Sequence, residues 1–362
     1  MQDRDIELVL VTGAGASREF GVNGIKLPMM GDWSNAVVEK LQRGGPGYLG
    51  ATGLSKDLDG PTFEKMLGEF LHRTQAFEQI GPLIEHTEFQ ANPGLNMRSI
   101  TDWHGQAVFH LGRIVELIHE SLYENFDLGK VDERAAAAAY GALFAQLGVG
   151  APSSLVVATT NYDTIAESAI ASIGGLPDWG AAPSLQLGAS DTPLRVDRLM
   201  EGYPRFVPVL HLHGRIGWFR KPDGVVYSAN HGQYNAGYGV PVVMLPDPDK
   251  SYDAEPVIYE LWQQLRIALG RAQRVFVLGH SLHDAPLVDA LRQYVSPTNR
   301  IAVGLLADPD DPERFHASAG PTMEIMRRYL PQAGMIPIRF GEDLMISRQQ
   351  VELWTQGIPQ MS

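Results

Sequence analysis

The sequence contains no cysteine. That excludes disulfides, thiolate catalysis and any cysteine-ligated zinc site, and it fits a cytoplasmic protein. Long apolar runs are missing too. None approaches the roughly 20 residues that a membrane-spanning helix needs, so a soluble protein is expected. Positive charge is scarce: 29 Lys and Arg stand against 42 Asp and Glu, a formal charge of −13. Direct nucleic-acid binding is not expected, because affinity for a phosphate backbone rests on clustered Lys and Arg. The first apolar strand starts almost at Met1, before any basic region and cleavage site, so no signal peptide is expected. What the chain does have is length. Its 362 residues, 44% of them hydrophobic, can bury a large core in one domain or two.

The chain is organised around its beginning, Leu8-Val9-Leu10-Val11-Thr12-Gly13-Ala14-Gly15-Ala16-Ser17. Leu8 to Val11 predict a short buried strand. Gly13-Ala14-Gly15 predicts a tight turn, where missing Cβ atoms let backbone approach a ligand. Ser17-Arg18-Glu19-Phe20 predicts a helix start. Together these would form a phosphate cradle, since free backbone N–H groups and a helix dipole both favour an anion.

From about residue 30 to 150 the pattern predicts helices and no strand. Phe63, Met66, Leu67, Phe70 and Leu71 recur at helical spacing, as do Val108, Leu111, Val115, Ile118 and Leu122. A further helix begins at Asp132, which can cap it, and ends before Gly148, which can take the left-handed conformation. Residues 31–149 are therefore expected as a helical insertion. Alternation of strand and helix resumes with Leu155–Thr159 and a helix over 163–173. Strands are predicted at 207–213, 225–227, 242–245, 274–278, 301–306 and 335–338, with helices at 256–269, from 285, and around 323–329. The expected fold class is α/β: a Rossmann-like, mostly parallel sheet with helices on both faces and a helical insertion after the first strand-turn-helix unit. The sheet domain is assigned to 1–30 and 150–345, and 346–362 to a C-terminal tail.

Ligands bind open parallel sheets at the carboxyl ends of the strands. Four strands here run into polar, hydrogen-bonding residues. The first leads into Gly13, Ala14, Gly15 and Ser17; the second into Thr160, Asn161 and Asp163; the third into His213-Gly214; a later one into Gly279, Ser281 and Asp284. Those residues are the candidate site.

The order Gly-Ala-Gly-x-Ser, Thr-x-Asn-x-Asp, strand-His-Gly, Gly-x-Ser resembles the sirtuin family. The stretches that carry it are Gly13–Ser17, Thr159–Asp163, His211–Gly214 and Leu278–Ser281. The resemblance implies an NAD site and cleavage of the nicotinamide–ribose bond. By position Asn161 and Asp163 match the family's Asn and Asp near the nicotinamide ribose, and His213 matches its catalytic base. Sirtuin deacylases carry a small domain built on four zinc-binding cysteines, and this chain has none. The chain looks more like the zinc-free bacterial sirtuin-like defence proteins. That resemblance implies an antiphage NAD hydrolase that yields nicotinamide and ADP-ribose, with NAD as substrate and no zinc. It also implies a homo-oligomer or a partner such as a HerA-type ATPase or a short Argonaute.

The chemistry can be argued without the family. Nicotinamide leaves the anomeric carbon as a neutral molecule, so no strong acid is required, and an oxocarbenium-like centre develops as in glycoside cleavage. Gly13, Ala14, Gly15 and Ser17 suit the pyrophosphate. Asn161 can orient a ribose hydroxyl or water, neutral His213 can take a proton, and Asp163 can stabilise developing positive charge. Ser281 and the amides near Gly279 suit the adenosine half. Two other functions fit parts of the pattern. One is a module that senses NAD or ADP-ribose without turnover. The other is a serine hydrolase using Ser281 with Asp308 and His316, although His283 stands where a nucleophile elbow has its last Gly. No metal-ligand pattern is evident; His211, His213, His283 and Asp284 lack helical His-Glu-x-x-His spacing.

Overall fold

The computed structural model describes residues 6–24, 26–45, 47–90, 98–126, 128–180, 191–199, 205–229, 234, 236–245, 252–296, 300–307, 312–339 and 345–346. Two compact units emerge. The first comprises Met1–Leu27, Phe126–Met244 and Ser251–Ser362; the second comprises Pro28–Asn125 and Leu245–Lys250.

The first unit is built on an eight-stranded sheet. Its strands are β1 (Ile6–Thr12), β2 (Leu155–Thr159), β3 (Leu176–Asp178), β5 (Phe206–His211), β9 (Ala272–Leu278), β10 (Arg300–Ala307), β11 (Gly334–Arg339) and β12 (Met345–Ile346). Their order is β12-β11-β10-β9-β1-β2-β5-β3, and every neighbouring pair is parallel except β11 with β12. The fold is therefore the α/β class the alternating pattern predicts.

The sheet's two faces follow from the two-residue side-chain period. Val9 and Val11, Val156 and Ala158, and Val275 and Val277 face one core, covered by α7 (Pro256–Arg271) and α8 (Ala285–Tyr294). Leu8 and Leu10, Leu155 and Val157, and Phe276 and Leu278 face the other, covered by α5 (Glu133–Gln146) and α6 (Ile165–Ala171). Asp132 caps α5 by accepting from the Ala135 N–H at 2.9 Å, and Gly148 after it has φ +66°. Although α5 falls inside the stretch expected as an insertion, it packs on the sheet. Ala136, Ala139, Tyr140, Leu143 and Phe144 are buried there. The remaining long helix, α9 (Pro312–Tyr329), lies between β10 and β11 in the chain.

A second sheet was not expected. β4 (Asp191–Pro193), β6 (Gly214–Arg220), β7 (Val226–Ala229) and β8 (Val240–Val243) form an antiparallel sheet in the order β4-β7-β6-β8. The sequence conceals β6 because Gly214 and Gly217 interrupt its apolar run, and both take positive φ, +80° and +93°. Its pairing with β8 shifts register between Gly214 and Phe219.

The second unit is helical: α1 (Met30–Gly44), α2 (Tyr48–Thr52), α3 (Gly60–Gln90) and α4 (Arg98–Asn125). Trp33 packs edge-on against Phe63 at 5.3 Å and donates its indole N–H to Ser121 at 3.2 Å. Among the described residues no helix is long and apolar enough to cross a membrane.

Candidate active site

The carboxyl ends of four adjacent strands lie in one row. Thr12 on β1 is in register with Leu278 on β9 and with Thr159 on β2, and Thr159 is in register with His211 on β5. The turns after these strands therefore open on the same edge of the sheet. From β1 the chain continues to β2 on one side and later returns as β9 on the other. Such a reversal of strand order is where doubly wound sheets leave a ligand crevice.

The first turn differs from its expected form. No α-helix follows β1: Ala14–Ala16 form a single 3-10 turn, and Ser17–Glu19 continue as turn. Tertiary bonds prevent a helix. The carbonyl of Arg18 accepts from Leu27 N–H at 2.7 Å, and that of Phe20 accepts from Asp132 N–H at 2.7 Å. The expected cradle of free amides is also altered. Gly13 N–H donates to Leu278 O, Gly15 N–H to Gly279 O, Ala16 N–H to Gly13 O and Ser17 N–H to Ala14 O, at 2.9 to 3.2 Å. A helix-dipole site for phosphate is thus not what this turn provides. Ala14 stands exposed at its tip.

The glycines serve close approach of two turns. A Cβ on Gly13 would come within 2.8 Å of the Gly279 carbonyl and of the His280 backbone, and one on Gly279, at φ +61°, would overlap the Ala16 amide. Gly279→Ala is expected to cost roughly 1–2 kcal/mol from the left-handed backbone alone, plus the displacement of the β1 turn. A lowered thermal midpoint checks this; an unchanged midpoint would contradict it.

The β2 turn is locked to the β1 turn. Asn161 donates its side-chain amide to Gly13 O at 3.0 Å and to Ser17 Oγ at 2.7 Å, and its N–H is held by Thr159 Oγ1 at 3.0 Å. Thr160 donates its N–H to Thr12 O at 3.1 Å. Ser17 also hydrogen-bonds Asp163, whose carboxylate accepts from Ile165 N–H at 3.0 Å. Burial raises the Asp163 pKa above the ordinary carboxylate range, although these two hydrogen bonds oppose it. Ser17, Asn161 and Asp163 are all buried.

The β5 turn carries His213. Its Nε2 lies 2.7 Å from Asp284 Oδ2 and 3.2 Å from the Tyr252 hydroxyl, and the imidazole stacks on the Tyr252 ring, 18° from parallel. Tyr252 donates to Asp284 Oδ2 at 3.1 Å. Asp284 also caps α8 by accepting from Leu287 N–H. Strands in a sheet lie about 4.8 Å apart, so β5 and β9, three spacings apart in the order, are roughly 14 Å from each other. The His213–Asp284 bond spans from the turn of one to the turn of the other. Asp284, a candidate cofactor-site residue of the β9 turn, thus stands on the histidine.

A second polar group flanks His213 on both sides in the chain. Glu167 Oε1 takes Arg215 Nε–H at 2.8 Å and lies 3.2 Å from His211 Nε2. All three residues are buried. Burial alone would raise the Glu167 pKa, but the neighbouring His211 and Arg215 hold it at about 2. Glu167, Arg215 and Tyr252 are not among the residues that the sequence marks as candidates. Glu167 had a signal, as an acid among the apolar positions of Ile165–Ile170. Tyr252 had none, opening a short 3-10 turn, Tyr252–Ala254, far from His213 in the chain.

Ser281 is exposed, and its carbonyl accepts from Thr322 Oγ1 at 3.2 Å. The left-handed residues of this turn are Gly279 and buried Leu282, at φ +61° and +59°, not Ser281. A nucleophile elbow places its strain at the serine. Asp308 lies outside the described residues, as does the side chain of His316. Among the described residues, no group of three or more His, Asp or Glu converges as metal ligands would.

The fold and site define a doubly wound α/β protein whose polar turns gather at the carboxyl edge of the sheet, where the strand order reverses. Residues 155–320 match the family model of the SIR2-like domain. The match includes the turns of β2, β5 and β9, and it points to an NAD-using enzyme; the β1 turn lies outside it. No curated protein matches the chain.

Proposed function

We propose that this protein is an NAD hydrolase that cleaves the nicotinamide–ribose bond, releasing nicotinamide and ADP-ribose. The shared register row of Thr12, Thr159, His211 and Leu278 carries this reading, because it turns Gly13, Asn161, His213 and Gly279 toward one edge. Exposed Ala14 and the adjoining β9 turn, with Gly279 and Ser281, face the pyrophosphate and adenosine side. Asn161 and Asp163 stand by the nicotinamide ribose. Both hydrogens of the Asn161 amide are committed to protein, so its carbonyl oxygen is the atom that accepts from a ribose hydroxyl or water.

Paired with Asp284 through Nε2, His213 carries its proton on that nitrogen and the basic lone pair on Nδ1. As nicotinamide departs with the bonding electrons, water adds to the anomeric carbon and gives its proton to His213, which returns it to solvent. Asp163, buried and hydrogen-bonded by Ser17, is the residue we assign to stabilising the developing positive charge.

By resemblance to bacterial defence proteins, turnover is held silent until infection and is controlled by oligomerisation or a partner ATPase or Argonaute. The helical unit is the proposed contact. Incubating the purified protein with NAD, alone and with candidate partners, should yield equimolar nicotinamide and ADP-ribose by chromatography. Tight NAD binding with no nicotinamide under any condition would favour a sensor.

A further inference from the structure

Six buried side-chain atoms among the described residues have no hydrogen-bond partner within the protein: Glu167 Oε2, Trp179 Nε1, Thr192 Oγ1, His211 Nδ1, Trp218 Nε1 and Ser228 Oγ. They are not scattered. Thr192 on β4 and Trp218 on β6 are each the direct cross-strand partner of Ser228 on β7. Directly opposed residues share a face, so the three side chains form one row on the small sheet. The Trp218 ring meets the His211 ring at 5.6 Å, 72° from parallel. His211 holds Glu167, Glu167 holds Arg215, and the Arg215 guanidinium lies 4.9 Å from the Trp179 ring centroid. One unbroken chain of neighbours contains all six atoms.

A buried polar atom without a partner is costly, and native proteins rarely leave one so. Six in a single seam therefore point to something that pairs with them. Their chemistry limits what that is. The two indoles can only donate, Glu167 held as a carboxylate can only accept, and the two hydroxyls do either. An anion would face the Glu167 carboxylate, and a metal cation would offer the indoles no acceptor. A small uncharged molecule that both donates and accepts meets every requirement.

We infer that ordered internal water occupies this seam between the His211 end of β5 and the small sheet. A buried water makes about three hydrogen bonds, so six atoms call for at least two molecules. The water would complete the free side of the carboxylate that grips both His211 and Arg215.

The test uses the full chain labelled with ¹⁵N at its tryptophan indoles, the two signals being assigned with Trp179→Phe and Trp218→Phe. Both indole protons are expected to show Overhauser contacts to water with the sign of a long-lived complex, although neither nitrogen reaches the surface. Absence of such a contact at both overturns the inference. Ser228→Ala separates direct contact from magnetisation relayed through its hydroxyl. The Trp218 contact should persist in that variant with a shifted indole frequency, and its loss counts against bound water. If Trp218→Phe does not fold, the same frequency shift identifies the Trp218 signal. A high-resolution crystal structure gives a second readout. At least two water peaks within hydrogen-bond distance of these atoms are expected, and a dry seam or side chains re-paired with one another would contradict the inference.

Discussion

His213→Ala is expected to reduce nicotinamide release from NAD by roughly 10²- to 10⁴-fold, the range a positioned general base supplies. The loss should fall on kcat, because the imidazole accepts its proton only as the bond breaks. The fold should survive, since Asp284 and Tyr252, which hold the ring, remain bonded to each other. Asn161→Ala should be as damaging by another route. It removes the amide that ties Gly13 O to Ser17 Oγ, together with the carbonyl oxygen that orients ribose or water. Circular dichroism and product chromatography on the same samples check both. Activity close to that of the parent in both variants would remove these residues from the mechanism.

Glu167 is the second large effect. Its Oε1 holds the residues two before and two after His213, and its charge acts on Asp163. Glu167→Ala strands a buried guanidinium, a loss of roughly 3–5 kcal/mol in comparable buried pairs. Glu167→Gln keeps an accepting oxygen but not the charge. It is expected to retain the fold, leave KM near the parent value, and lower kcat roughly ten- to a hundredfold through a misplaced His213. A purely structural role would not split kcat from KM.

The pH dependence has a definite sign. The folded carboxyl is held at about 2, below its ordinary 4.5. Its contribution is therefore complete above about 4.5 and disappears as pH falls toward 2. The difference in thermal midpoint between the parent and Glu167→Gln should be widest at neutral pH and narrow across that acid window. A difference independent of pH would mean the charge is not what matters.

The parts of this molecule that were legible in its sequence are those whose physics is local. Leu8-Val9-Leu10-Val11 and Val275-Phe276-Val277-Leu278 announce strands because both faces are apolar, and both are central in the sheet. Asp132 and Gly148 bracket α5 by capping chemistry that needs no tertiary partner. What failed was set by distant contacts. Ser17–Phe20 had the composition of a helix start, but Leu27 and Asp132 take the carbonyls of Arg18 and Phe20. Gly13 was legible as a required glycine, though the backbone it admits is the β9 turn. The strand β6 was hidden by its two left-handed glycines. The partners of His213 come from a short 3-10 turn and a helix cap, where spacing carries no information about the imidazole they meet.

The most direct measurement is a crystal structure of the His213→Ala protein with NAD, which should trap uncleaved substrate. NAD is expected along the carboxyl ends of β9, β1, β2 and β5, with its pyrophosphate at the exposed tip of the β1 turn. The anomeric carbon of the nicotinamide ribose should lie between Asn161 and position 213. Density for NAD on any other edge of the sheet, or with its nicotinamide ribose away from Asn161, would contradict the account.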